Sequence, residues 1–301
     1  MTAEAFFQVG DVVRTSIRVR SSPSAPPMDA AIVRELAEAK GRMRQGLFTA
    51  EGVLLAERAI RDGLAVETIL YTAELERRPE GLALLRAAWR AGVAHQRISA
   101  GRMGALTPAR PLPSALTVIG ARLLDAEQLP LHAGSVVMVA AALQNPDNLG
   151  MLIRTADAMG VDAVVVAGGG ADPLHRQRVR AARGAVGRLP LRLCHDLPSW
   201  LRRLAADGVG VWGATPHGSA AAFVVERRPP LAVVVGNEHN GLDEPTLAAC
   251  TARVQISMAP GQDSLNVAVA AGMLLYEIVR GRARTAPSER PAMFQTHQAR
   301  G

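Results

Sequence analysis

The feature that most constrains this chain is a series of apolar runs that do not alternate with polar residues. They are SVVMVAAAL (135–143), VDAVVVAG (161–168), VGVWGAT (209–215), LAVVVG (231–236) and VQIS (254–257). A strand with one wet face alternates; a strand covered on both faces has no reason to. Between the runs lie helical stretches, MLIRTADAMG, PSWLRRLAADG and LNVAVAAGMLLYEIVRG. Valine-rich strands in alternation with helices predict an α/β fold, a parallel sheet with helices on both faces. This unit is assigned to residues 126–285.

A smaller α/β unit is expected over 28–125. Helical spacing appears at Ile32, Val33, Leu36 and Ala39, and again at Val53, Leu54, Ala56 and Ile60. ETILYT and VAHQRIS read as short strands, GLALLRAAWRAG as a helix, and PARPLPSA as a turn. Residues 1–27, ending in SSPSAPP, read as a loose extension, and 286–301 as a polar tail.

The chain has 301 residues, 49% of them hydrophobic and 20% charged, which excludes a disordered chain, a collagen and a coiled coil. No apolar stretch reaches the ~18–20 residues of a membrane span, and the start lacks a basic segment followed by a long apolar run. A cytoplasmic protein with no membrane partner is expected. Two cysteines, Cys194 and Cys250, are too few for a disulfide framework or a four-cysteine zinc site. The net charge of +7 suits an anionic partner such as nucleic acid. Lysine occurs once, at Lys40, and an arginine- and alanine-rich composition equally marks GC-rich coding. With aromatics at 3%, no base-stacking platform is legible.

In open parallel sheets, ligands bind outside the carboxyl ends of strands. Three exits are unusual. LQNPDNLGMLIRTADAMG turns at Asn145–Asn148, opens a helix near Leu149 and carries Arg154. Taken alone, Asn145 and Asn148 read as caps, and Arg154 as a solvated charge or a partner for Asp157. VVVGNEHNGL places Glu238 between Gly236 and Gly241, where a carboxylate would face the strand ends. ISMAPGQDSLNVAVAAG ends a strand near Met258, offers Ser264 as a cap and puts Asn266, a mediocre helix former, in the first turn.

In this order and spacing the three segments resemble the three motifs of the SpoU (TrmH-like) RNA ribose 2′-O-methyltransferases. Asn148–Arg154 matches the first, GNEHNGL the second and SLNVAVAA the third. The resemblance covers about 134–281. It extends more loosely to 34–118, where KGRMRQGLFTAEGVLLAERAI is similar to the opening of a substrate-binding domain. It implies a C-terminal trefoil knot, S-adenosylmethionine as methyl donor with no metal, and a homodimer. It implies donor contacts near Gly236, Ile256, Leu265 and Asn266, and a catalytic set of Arg154, Asn148, Glu238, Ser264 and Asn266. Arginine hardly ever loses its proton, so a fixed positive charge that anchors phosphate and favours the attacking oxygen is the role expected of Arg154.

Two basic segments remain. HRQRVRAARGAVGRLPLR carries Arg176, Arg178, Arg180, Arg183, Arg188 and Arg192 with no acid, and is expected to contact RNA rather than serve as a solvated face. Lys40, Arg42 and Arg44 are further candidates. Ribosomal RNA is the expected substrate; transfer RNA, or a catalytically silent RNA-binding protein on the same scaffold, are the alternatives. The motifs argue against other classes. Gly168–Gly170 lacks the spacing of a dinucleotide loop, no P-loop is present, and Ser264 has no G-x-S-x-G surround. His132, His175 and His239 are scattered without metal-ligand spacing.

Overall fold

The computed structural model describes residues 28–121, 123–169, 172–218, 220–222 and 229–280. The extension expected over 1–27 and the tail expected over 286–301 lie outside the described residues.

The amino-terminal part runs α1 (Ala30–Glu35), α2 (Ala39–Gln45), β1 (Leu47–Glu51), α3 (Val53–Arg61), β2 (Val66–Tyr71), α4 (Ala73–Glu76), α5 (Pro79–Arg90), β3 (His95–Arg97), α6 (Ala100–Leu106) and β4 (Ala115–Gly120). Its sheet has the order β1-β4-β2-β3. β4 is antiparallel to both of its neighbours, and β2 is parallel to β3. The strands β1 (LFTAE) and β4 (ALTVIG) are not among those expected from the sequence. β1 lies between two helices as a five-residue segment, too short to reveal a period.

The larger part continues with β5 (Leu123–Asp125), β6 (Val136–Ala141), α7 (Pro146–Met159), β7 (Ala163–Ala167), α8 (Arg176–Ala181), α9 (Ala185–Arg188), β8 (Leu191–Cys194) and α10 (Leu197–Ala206). It closes with β9 (Gly210–Ala214), β10 (Ala220–Ala221), β11 (Leu231–Val235), α11 (Glu244–Ala248), β12 (Ala252–Gln255) and α12 (Val267–Val279). Among the described residues all strand pairs of this sheet are parallel, in the order β10-β12-β9-β11-β6-β7-β8-β5. β5, placed by the sequence in the smaller unit, instead pairs with β8.

The run SVVMVAAAL explains itself here. Val136 through Ala141 are all buried, with Val136, Met138 and Ala140 in the core on one face and Val137, Val139 and Ala141 in the core on the other. Each fully buried valine contributes roughly 1.5–3 kcal/mol. A one-residue slip would exchange the two faces at little hydrophobic cost, so register rests on the ladder between β11, β6 and β7 and on the flanking turns.

One hydrophobic cluster crosses the boundary between the two parts. It joins Phe48, Ala50, Ala56 and Ile69 of the first to Leu149, Ile153, Val179 and Val186 of the second. α7 packs between α8 and α12. At Gly150 an added Cβ would collide with the Ala181 side chain and the Arg178 carbonyl, so α7 and α8 approach as closely as they do only with glycine there. Among the described residues no helix is long and apolar enough to cross a membrane.

Candidate functional site

The chain proceeds from β6 outward to β7 and β8, then returns to the other side of β6 with β11 and β9. The order therefore reverses between β6 and β11, and a crevice opens at such a switch point. The exits of these two strands are the segments 142–148 and 236–242. The third segment, 256–266, leaves β12, two strands further along.

The helix α7 begins at Pro146, three residues earlier than expected, because Asn145 takes the N-cap and accepts from the Asp147 N–H at 2.9 Å. That frees Asn148, which is buried at 6% exposure, from capping. Its Nδ2 donates to Glu238 Oε1 at 3.0 Å, and its Oδ1 accepts from Asn266 Nδ2 at 2.9 Å. Asn266 in turn is the N-cap of α12, accepting from Ala268 N at 2.9 Å and Val269 N at 3.4 Å. The cap expected at Ser264 thus falls to Asn266. Ser264 is exposed on the loop and takes no part in this network.

Glu238 also accepts from the backbone N–H groups of Gln144 at 3.2 Å and Asn145 at 3.1 Å. Burial opposes its charge, but the donors from Asn148, from the Glu238 backbone, and from Gln144 and Asn145 outweigh that. They hold its carboxyl below the ordinary carboxylate value. One ionised side chain fastens the second loop onto the start of the first.

Asn237, which no sequence argument singled out, is the second fastener. Its Nδ2 donates to the Ala142 carbonyl at 2.8 Å, while its Oδ1 accepts from His239 N at 2.9 Å and Asn240 N at 3.2 Å. Paired backbone bonds between Asn237 and Gly241 close the loop. A Cβ at Gly236 would overlap the main chain of Gly241 and Leu242, so the turn requires glycine. An Asn after a strand-ending glycine is the signal that could have found this residue, since its side chain is suited to tie a turn.

Arg154 stands two turns into α7, exposed, without an ion-pair partner among the described residues. Asp157, the partner expected from sequence alone, is taken by Arg188 of α9. Leu265, a large apolar side chain, is 40% exposed on the third loop, and Ile256 is half-buried where β12 ends.

The basic segment is placed differently from expectation. Arg178 is 8% exposed and donates to the Asp172 carbonyl at 2.6 Å. Arg42 is 5% exposed and pairs with the Asp172 carboxylate. Both guanidiniums point inward at the boundary between the two parts, which corrects the expectation of RNA contact at these positions. Arg176 is half-buried, with Nη1 3.9 Å from Glu51. Arg44 is exposed and pairs with Glu35. Arg180, Arg183 and Lys40 are exposed. Arg176 and Arg188 face acids distant in sequence, Glu51 and Asp62, which the charge run by itself does not reveal.

A parallel sheet with a reversed order, and a polar network joining three strand exits at its carboxyl rim, defines an α/β protein of the kind that binds a ligand at the switch point. The comparisons make this specific. Residues 135–276 match the SpoU rRNA Methylase family, and residues 32–107 match the MRM3-like substrate binding domain. The 23S rRNA (guanosine(2553)-2'-O)-methyltransferase RlmP of Bacillus subtilis is 31% identical over 245 residues, covering 81% of this chain and 93% of the relative. The 23S rRNA (uridine(2479)-2'-O)-methyltransferase of Streptomyces viridochromogenes is 31% identical over 255 residues, covering 82% and 88%. The crystal structure of the SpoU methyltransferase AviRb from that organism in complex with AdoMet aligns with a TM-score of 0.74 at 27% identity, covering 85% of this chain and 98% of that one. The AdoMet-bound rRNA methyltransferase of Sinorhizobium meliloti aligns at 0.73 with 25% identity, covering 83% and 94%. The chain belongs to the SpoU rRNA methylase family.

Proposed function

We propose that this protein methylates a ribose 2′-hydroxyl of ribosomal RNA, with S-adenosylmethionine as donor. The observation that carries the reading is the Glu238–Asn148–Asn266 network, which draws all three motif segments to one rim. The two relatives above are 23S rRNA 2′-O-methyltransferases, and both aligned crystal structures hold AdoMet.

The residues present suit that donor. The exposed side chain of Leu265 offers an apolar surface to an adenine face. Gly236, Ile256 and Asn266 would contribute main chain to the donor's binding. When bound, the donor supplies an electrophilic methyl group. The chain's own work is to orient and to stabilise charge. Arg154, permanently protonated, anchors an RNA phosphate and favours negative charge on the 2′-oxygen as it attacks. Asn148, Glu238 and Asn266 hold the loops in the attacking geometry, and Ser264 supplies a hydroxyl to substrate or donor from the same loop.

Residues 28–121 form the RNA substrate-binding domain and the remainder up to 285 the methyltransferase domain, its C-terminal segment threaded as a trefoil knot. Arg180, Arg183, Lys40 and, from its half-buried place, Arg176 contact RNA phosphates, with Arg44 released from Glu35 to join them. The protein works as a homodimer in the cytoplasm, where its substrate is. Support for the dimer comes from α12, where Val269, Met273 and Tyr276 are 52%, 45% and 57% exposed at helical spacing, next to Met151 of α7 at 40%. An apolar stripe of this kind asks for a cover.

The test is mapping of methylated riboses in total RNA from cells with and without the protein, followed by methyl transfer to the identified fragment in vitro. Loss of one rRNA site on deletion, restored by the purified protein, is expected. Loss of a tRNA site instead, or of none while the folded protein fails to bind S-adenosylmethionine in calorimetry, would overturn the reading.

A further inference from the structure

The boundary between the two parts carries buried charge that the reaction does not use. Arg42 reaches across from α2, 130 residues away from Asp172 in sequence. Its Nε donates to Asp172 Oδ2 at 2.7 Å, and Nη2 pairs with the same oxygen. Its Nη1 donates to the carbonyls of Leu36 at 2.7 Å and Ala37 at 2.9 Å. The side chains of Arg42 and Asp172 are 6% and 9% exposed. From the other side, Asp172 Oδ1 accepts from Leu174 N at 2.8 Å and its carbonyl accepts from Arg178. One acid of the larger part is gripped by arginines from both.

Further along the seam the sense of the pairing reverses. Glu51 and Asp62 of the smaller part face Arg176 at 3.9 Å and Arg188 at 3.7 Å from the larger, and Arg58 donates to the Arg183 carbonyl. A buried ion pair is weak as a source of stability, because desolvating both charges cancels most of their attraction and apolar residues of similar size do as well. Apolar contact, however, is indifferent to small rotations. A forked guanidinium held by one carboxylate and two carbonyls is not. The directional contribution of this seam is therefore orientation.

The position of Asp172 connects that orientation to the reactive rim. It follows β7 by five residues, and the β7 exit bonds the β6 exit, with Ala142 N donating to the Ala167 carbonyl at 2.8 Å. The Ala142 carbonyl in turn receives Asn237 of the second motif loop. We infer that Asp172 is a positioning residue for RNA. Acting through Arg42, it fixes the angle at which the substrate-binding domain presents its RNA to the methyl-transfer loops. The inference rests on the proposed rRNA methylation for its kinetic readout and not for its structural one.

The experiment uses the full chain with Asp172→Asn, which keeps the oxygen that caps Leu174 and removes the charge. Four quantities are read: the Kd for S-adenosylmethionine, kcat and KM for the rRNA fragment, and energy transfer between labels at Arg90→Cys and Asp207→Cys. Expected are a donor Kd within twofold of the parent, kcat within threefold, KM raised tenfold or more, and a broadened distance between the labels. The double variant Arg42→Met with Asp172→Asn removes the stranded guanidinium. It should regain thermal stability while KM stays high, and it carries the test should Asp172→Asn alone fail to fold. KM recovering together with stability, or an unchanged KM and label distance in Asp172→Asn, would overturn the inference. If the parent protein methylates no rRNA, the functional reading falls, and an unchanged or broadened label distance still decides the orienting role.

Discussion

Asn148 Nδ2 lies 3.0 Å from Glu238 Oε1, a hydrogen bond between residues 90 apart in sequence that joins the exits of two adjacent strands. Because Asn148 also receives Asn266, the amide is a joint through which three loops hold a single arrangement.

Arg154, on the same helix as Asn148, should be separable from that joint. Arg154→Ala is expected to lower methyl transfer by about a hundredfold or more, the usual cost of removing one charge-stabilising donor. S-adenosylmethionine binding should stay within a few fold, since Arg154 takes no part in the loop network. Single-turnover transfer of a labelled methyl group, with calorimetry for the donor, measures both; near-normal turnover would remove Arg154 from catalysis.

Glu238 gives a pH dependence with a definite sign. Its carboxyl is held below the ordinary 4.5, so the stability it contributes is complete above that value and is lost as pH falls through the lowered folded value. Thermal unfolding between about pH 6 and pH 3 should therefore show a steeper decline for the parent than for Glu238→Gln, which has no such proton to take up. Parallel curves would mean that the charge is not what fastens the loops.

Asn266 has two duties that one substitution divides. Asn266→Ser keeps an oxygen for the α12 cap but cannot reach Asn148, and should retain stability while losing most activity. Asn266→Ala loses the cap as well and should cost a further ~1 kcal/mol in denaturant unfolding. Equal activity in the Ser variant and the parent would make the Asn148 bond incidental.

The basic segment divides by burial. Arg180→Gln with Arg183→Gln should weaken RNA binding and reduce the slope of log K against log salt by roughly 0.7–0.9 for each phosphate that is no longer neutralised. Arg178→Gln, at a buried position, should lower the unfolding midpoint and leave that slope unchanged. An unaltered slope in the double variant would exclude α8 from the RNA footprint.

Cover over the apolar stripe can be probed directly. Met273→Glu with Tyr276→Glu should shift light-scattering mass from dimer to monomer, because these exposed apolar side chains would otherwise be covered in the dimer. A parent already monomeric at working concentration would end the dimer reading.

Much of this architecture is legible in the one-dimensional chain. Continuous apolar runs such as 135–143 determine a doubly covered parallel sheet, because no other arrangement hides every residue of such a strand. Asn148, Glu238 and Asn266 stand out in the sequence as polar residues near strand exits, and the structure joins them in one network. Short β1 and β4, and β5 with its allegiance to the larger sheet, are not legible. Three to six residues carry no period, and their pairing is settled by neighbours distant in sequence. The tertiary structure alone decided which arginines face water. Arg42 and Arg178 look no different from Arg180 and Arg183 as letters. Whether the Arg42 guanidinium meets RNA or an acid across the seam depends on Asp172, 130 residues away, and that proximity exists only once the two parts dock. Charge is a property of the residue; its partner is a property of the fold.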